Sequence, residues 1–323
     1  MRTAIIGAGA IGAYIGARMA RAGQDVVLYA RGPHLRAMQE RGVRVRSPEG
    51  DFEARPPVAS TIEEIGPVDV AILGVKAHSL TELAPRLGPL MGPETVVVST
   101  QNGIPWWYFQ VDDGPFAGTR LERIDPGGII AASIEPRRVV GSIVYFSTEI
   151  VEPGVILHTE GNRISLGEPD GTRSGRCERI ASALIAAGLR CPVTTRLRQE
   201  IWVKLLGNAS FNPISALTRA TLRQMVRDPD VCALVRNVMC EVEAVAAGLG
   251  LTLPVSIEQR IAGAERVGEH KTSMLQDLEA GRPLELEPVV GAVVELGAKL
   301  NLPMTHTRAV YACAKLLAQQ KSR

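Results

Sequence analysis

Lys204, Asn208 and Asn212 recur at every fourth position in RLRQEIWVKLLGNASFNPISAL, a stretch otherwise apolar enough to be a helix packed into a core. Four residues on an α-helix advance about 400°, so each side chain lands about 40° round from the last and the three form one slowly drifting stripe. An amine followed by two amides could stabilise a developing oxyanion, hand it a proton and hold a polar substrate. Each residue also has an ordinary explanation. Asn212 precedes Pro213 and could cap or end a helix. Asn208 follows Gly207 and could sit at a kink, and Lys204 could snorkel to solvent. The rest of the chain has to decide between the two readings.

A second chemical pattern opens the sequence. TAIIG is a short β-rich run, GAGAIG follows at once, AYIGARMARAG reads as a helix, and DVVLYAR as the next strand. The glycines therefore sit between a strand and a helix inside a βαβ unit, the setting that the dinucleotide fingerprint requires. Gly7 permits the tight turn, Gly9 lets backbone approach a pyrophosphate, and Gly12 lets helix and strand pack closely. With Ala8, Ala10 and Ile11 they form the expected cofactor-binding loop, whose helix N-terminus offers amide donors and a positive dipole end. An acid at the end of the second strand would take the ribose 2′-OH of NAD. Arg31 stands there instead, and no acid follows before Glu40. An arginine suits a 2′-phosphate, so the expected cofactor is NADPH.

These residues need a frame. VDVAILGVKAHSL is a later strand ending at Lys76, and ETVVVSTQNGIP another ending at Asn102. Ligands in open α/β sheets lie beyond the carboxyl ends of the strands, which places Lys76 and Asn102 at the cofactor and substrate edge. Residues 139–168 read as strands broken by turns at Pro153-Gly154 and Gly161-Asn162. The intervening WWYFQVDDGPFAGTRLERIDPGG has little periodicity and reads as a loop or flap. From about residue 173 the texture becomes helical: SGRCERIASALIAAGL, a short CPVTTR link, the Lys204 helix, then helices over 228–249, 254–269, 271–280 and 285–300, and a last one near the end. The fold class is α/β: a Rossmann-type domain over 1–172, a linking helix and short strand over 173–194, and an all-helical domain over 195–323. This is a two-domain dehydrogenase layout, with the active site expected in the cleft between the halves.

Composition narrows the partners. With 36 basic and 34 acidic side chains and no charged block, the chain offers neither nucleic acid nor a membrane surface an electrostatic footprint. No run approaches the roughly 18 apolar residues of a membrane span. The five cysteines include no C-x-x-C pair, so neither a disulfide framework nor a zinc site is expected, and the cytoplasm is the natural setting. A small anionic ligand requires only a local positive site. The long apolar C-terminal helices could support a homodimer.

Taken together in chain order, GAGAIG, GVKAH, QNG, EIWVKLLGNASFNP and KTSMLQDLEAGRPLELE resemble the ketopantoate reductase (2-dehydropantoate 2-reductase) family over the whole chain. The resemblance implies an all-α second domain like that of 6-phosphogluconate dehydrogenase and NADPH-dependent reduction of a 2-oxo acid to its 2-hydroxy acid. Lys204 then matches the catalytic general acid and Glu285 the carboxylate near the substrate hydroxyl. Asn208 and Asn212 match substrate-binding amides, and Ser273 a substrate carboxylate contact. Lys76 and Asn102 match residues between cofactor and substrate, and Arg31 the 2′-phosphate ligand. On sequence grounds alone Glu285 would also be favoured at a helix start by the dipole, and Ser273 is a small residue suited to the same place. The chain departs from the family at substrate-facing positions: Glu287 stands where an Asp is common, no Asn precedes Gly291, RATLRQ follows NPISALT, and IPWWYF is bulky. Two other readings compete. One is a related NADP-dependent reductase of a different 2-oxo or hydroxy acid. The other is a non-catalytic nucleotide-binding regulator, against which the intact Lys204 and Glu285 argue.

Overall fold

The computed structural model describes residues 1–111 and 114–321. Among them the strands are β1 (Thr3–Ile6), β2 (Val26–Tyr29), β3 (Val43–Arg46), β4 (Phe52–Ala54), β5 (Val58–Ala59), β6 (Val68–Leu73), β7 (Met91–Ser99), β8 (Val139–Glu152) and β9 (Val155–Gly167). The helices are α1 (Ala10–Arg21), α2 (Gly32–Arg41), α3 (Ala77–Leu83), α4 (Ile129–Ser133), α5 (Gly175–Ala186), α6 (Leu197–Thr218), α7 (Leu222–Arg227), α8 (Pro229–Gly248), α9 (Ile257–Val267), α10 (Ser273–Glu279), α11 (Ala292–Lys299) and α12 (Thr305–Lys321).

The strands form one sheet in the order β4-β3-β9-β8-β7-β6-β1-β2-β5. Strands β5, β2, β1, β6, β7 and β8 run parallel to one another. That explains why β1 (TAII) and β2 (VVLY) are apolar or β-branched throughout and wholly buried: a parallel sheet is covered on both faces. β8 and β9 pair antiparallel across the Pro153-Gly154 turn, where Gly154 takes φ +83°. The expected break at Gly161-Asn162 is not a turn. Gly161 sits within β9 at φ +73°, where the register against β8 shifts between Tyr145 and Ser147. It is a bulge, and the strand continues to Gly167.

The chain divides into two compact units. The first holds the sheet and comprises Met1–Gln101, Trp107–Gly118 and Gly127–Leu197; the second comprises Asn102–Trp106, Thr119–Pro126 and Arg198–Arg323. In the first, α1 packs on the sheet with Tyr14 stacked on His158, ring centroids 4.7 Å apart. The aromatic run expected in a loop or flap is a loop of turns, but a buried one and not a flap: Trp107, Tyr108 and Phe109 are each buried, and Trp107 lies against Gly141 of β8. Asp112 and Asp113 of that run lie outside the described residues. In the second unit α6 passes through Pro213 without ending, so Asn212 is not a helix boundary. The helix expected over 285–300 begins with a π-turn, Glu287–Gly291, before α11. The short α7, too brief for periodicity to announce it, starts at a Thr221/Gln224 capping box. Among the described residues no helix is long and apolar enough to cross a membrane, and no cluster of three His, Cys, Asp or Glu could hold a metal.

Candidate active site

In the first unit β1 runs into Gly7, whose φ of +95° only glycine adopts comfortably and whose added Cβ would collide with Val75. The N–H groups of Gly7 and Ala8 both donate to the Tyr29 carbonyl, at 3.2 and 2.8 Å, pinning the loop to the end of β2. Ala8's amide is thereby committed within the protein. Gly9 N-caps α1, and a Cβ there would meet nothing within 4 Å, so open space lies over the loop. The next amides, of Ala10, Ile11 and Gly12, open α1 and have no partner within the helix. These three, with the positive end of the α1 dipole, are the donors a pyrophosphate would meet. Gly12 and Gly74 both crowd the Gly7 carbonyl; a Cβ at Gly74 would lie 2.6 Å from that oxygen. Gly74 is a member of the cradle that the fingerprint does not include, although its place after β6 in ILGVKAH hints at it.

Arg31 follows β2, supplies the backbone N-cap of α2 and is exposed. Lys76 follows β6, N-caps α3 and is part-exposed. Both therefore stand beyond the carboxyl ends of parallel strands, where a ligand of such a sheet lies. The cradle fits a dinucleotide: an open glycine and donor amides, with an exposed cation beyond the end of β2.

In the second unit Lys204 of α6 donates from Nζ to Asn102 Oδ1 at 2.7 Å, and Asn102 Nδ2 donates to Glu285 Oε2 at 3.4 Å. An ammonium, an amide and a carboxylate thus form one relay from three distant stretches of sequence. Asn102 is placed by docking its segment on the π-turn. The Ile104 N–H donates to the Pro288 carbonyl at 2.9 Å, and at Gly103, φ +84°, any Cβ would collide with that same carbonyl. Glu285 immediately precedes the helical residue Leu286. Burial is the main reason the Lys204 amine is pulled down from its usual range to about 8; Glu285 opposes the shift and Arg260 adds to it. An amine half-protonated near pH 8 can both give a proton and regain one.

The π-turn is itself clamped. Arg123 Nη1 donates to Glu287 Oε2 at 3.0 Å and to the Tyr311 hydroxyl, and Tyr311 donates to Glu287 Oε1 at 2.8 Å. The backbone amides of Glu122 and Arg123 donate to Glu295 of α11 at 3.0 and 3.1 Å. Gly291 leaves room for the Glu287 carboxylate and the Arg123 stem. Asn208, part-buried, and Asn212, buried, share α6 with Lys204. Ser273 is exposed at the first position of α10, behind the Thr272 cap. The hydrogen-bonded relay includes none of these three. Arg123, Tyr311 and Arg260 escape a sequence reading because nothing local marks them.

Comparison with known proteins decides the family. The model of the family "Ketopantoate reductase PanE/ApbA" matches residues 3–109, and that of its C-terminal part matches residues 196–318. The 2-dehydropantoate 2-reductase of Mesorhizobium japonicum is 48% identical over 322 residues, 99% of each chain. The chain belongs to the ketopantoate reductase family. The 2-dehydropantoate 2-reductase of Archaeoglobus fulgidus is 30% identical over 93% of this chain and 92% of its own. A crystal structure of a provisionally named ketopantoate reductase from Ralstonia solanacearum MolK2 superposes with a TM-score of 0.95 at 39% identity, covering 99% and 98% of the two chains. As a ketopantoate reductase family member the chain is an oxidoreductase with a Rossmann-like first domain and a helical second one. Glu287, one of the departures noted above, is accounted for by its contacts in this member: Arg123 and Tyr311 grip its carboxylate.

Proposed function

We propose that the chain reduces ketopantoate to pantoate, with NADPH as the donor and Lys204 as the general acid. The observation that carries the reading is the Lys204–Asn102–Glu285 relay, with an amine poised near pH 8. The name and near-complete overlap of the Mesorhizobium relative support the choice of substrate. Bound NADPH supplies a hydride to C2 of the 2-oxo acid. As the C2–oxygen π bond gives way, Lys204 holds the oxygen's growing negative charge and transfers its proton to it. The neutral amine is recharged from water, and Asn102 keeps its lone pair and remaining N–H groups oriented. Glu285 stabilises the ammonium before transfer. Asn208 and Asn212, on the same helix, and Ser273 would hold the substrate's polar groups. Arg31 would meet the 2′-phosphate, the Ala10–Gly12 amides the pyrophosphate, and Lys76 would stand between cofactor and substrate.

The test follows loss of reduced-nicotinamide absorbance with ketopantoate beside other 2-oxo acids, using wild type and Lys204→Ala. Ketopantoate turnover that Lys204→Ala lowers by about 10²–10⁴, with NADPH affinity kept, supports the reading. Equal loss of turnover and NADPH binding overturns the role given to Lys204.

A further inference from the structure

Gly207 has no backbone reason to be glycine. It lies inside α6, three residues after Lys204 and next to Asn208, and its φ is not positive. Glycine in a helix interior is a net loss in stability relative to alanine. What distinguishes the position is its neighbour: a Cβ added there would lie 2.5 Å from Nη2, 2.8 Å from Nε and 3.0 Å from Cζ of Arg260. The guanidinium rests on bare helix backbone. Two other guanidinium groups lie similarly close to glycines, that of Arg18 at Gly188 and that of Arg223 at Gly268. Those glycines have φ of +84° and +86°, so the chain requires glycine there anyway. At Gly207 no positive φ requires it, and the nearest atoms to an added Cβ are all those of the Arg260 guanidinium.

Arg260 comes from α9 and is part-buried. Its charge and that of Glu285 both act on the Lys204 ammonium, in opposite directions. A second cation beside a buried ammonium is unfavourable, and an anion arriving between them relieves the repulsion. A 2-oxo acid brings such an anion. Its carboxylate carbon is bonded directly to the carbonyl carbon that Lys204 serves, so the two groups must be held side by side. Guanidinium is the side chain whose forked donors match a carboxylate's two oxygens.

We propose that Arg260 receives the carboxylate of the 2-oxo acid, alongside the Lys204–Asn208 stretch of α6, at a distance that Gly207 makes available. The inference rests on the reductase reading of the Lys204 relay. Substrate binding then cancels the repulsion that Arg260 exerts on Lys204 and holds the amine protonated until the hydride arrives.

The experiment compares ketopantoate with its uncharged amide, in turnover and in calorimetric titration in the presence of NADP⁺, on wild type, Arg260→Met, Arg260→Lys and Gly207→Ala. Arg260→Met should raise KM and Kd for the acid by about 10- to 100-fold, the loss of a charge-assisted contact, and leave the Kd of the amide nearly unchanged. Arg260→Lys should fall between, and Gly207→Ala should weaken the acid alone by pushing the guanidinium away. If Arg260→Met does not fold, the lysine and Gly207 variants carry the same comparison. Equal losses for acid and amide, or an unchanged acid KM, overturn the proposal. Selective acid binding that Arg260→Met abolishes, without turnover in wild type, would sink the reductase reading and leave Arg260 standing; no acid binding by wild type overturns both.

Discussion

Replacing Glu285 by Gln should move the pH dependence of catalysis in a calculable direction. In wild type the Lys204 amine is centred at about 8, below its ordinary 10.5. On the proposed mechanism reduction requires the ammonium, so kcat/KM should hold below pH 8 and fall tenfold per unit above it. Oxidation of the 2-hydroxy acid should rise over the same range. The relay measures 2.7 Å from Nζ to Asn102 and 3.4 Å from Asn102 to Glu285. Adding about 2.2 Å across the amide puts the two charges at most about 8 Å apart. At an effective dielectric constant of about 20 that separation is worth about 2 kcal/mol, or about 1.5 pH units. Without the carboxylate the falling limb should therefore lie near pH 6 to 7. The assay is the initial rate at limiting 2-oxo acid and saturating NADPH across about pH 5.5 to 10, because kcat/KM reports the free enzyme. A flat wild-type profile between pH 7 and 9, or a Glu285→Gln limb at or above the wild-type position, would contradict this account of the amine. The same shift bears on stability. The unfolded chain holds the Lys204 proton up to about 10.5 and the folded one only to about 8, so this group's cost to folding is largest below pH 8 and is relieved as pH rises between those values.

Other expectations follow from the geometry. Arg31→Ala should raise the KM for NADPH by about tenfold and leave NADH untouched; unchanged discrimination between the two would remove Arg31 from the 2′-phosphate. Gly9→Val faces open space, so thermal melting should stay put while NADPH affinity, read by fluorescence titration, falls at least about tenfold. Gly12→Val strikes the Gly7 carbonyl and should lower the melting temperature, at about 1–3 kcal/mol for overpacking; the opposite pattern would mean the cradle is misassigned. Glu241 is raised by burial, but hydrogen bonds from Thr307 and His306 more than offset this, and its carboxyl lies below the ordinary value of 4.5. Its contribution is present above that value and lost as pH falls through the folded one, so Glu241→Gln should flatten the acid limb of a melting-temperature profile. A limb identical to wild type would show the carboxylate idle.

The nucleotide loop is readable in the sequence because its determinants are local: a strand, three glycines and a helix within the first 21 residues carry their own geometry. The α6 stripe is readable for the same reason, since helical periodicity alone aligns Lys204, Asn208 and Asn212. Pro213 misleads because a proline only disfavours the helix around it, and the packing of buried Phe211 and Ile214 outweighs that cost. Gly161 misleads because a bulge glycine and a turn glycine share the same φ. The two-Trp segment looks like a flap because aperiodic sequence carries no sign of burial. Least legible are Arg123 and Arg260. Their partners stand 164 residues away in one case, Glu287, and 53 in the other, Gly207, and no local pattern encodes either meeting.

The separation of the relay in sequence has a consequence during synthesis. The loop that would cradle the nucleotide is complete once β6 and Gly74 have been made, but Asn102 waits 183 residues for Glu285. The first unit itself ends at Leu197, 88 residues before Glu285, and at about 5–20 residues per second that leaves roughly 4 to 18 s on the ribosome in which it can fold first. On the proposed roles a nascent chain can bind its nucleotide before Glu285 completes the relay, and the bound cofactor then stabilises the first unit while the second is still being built.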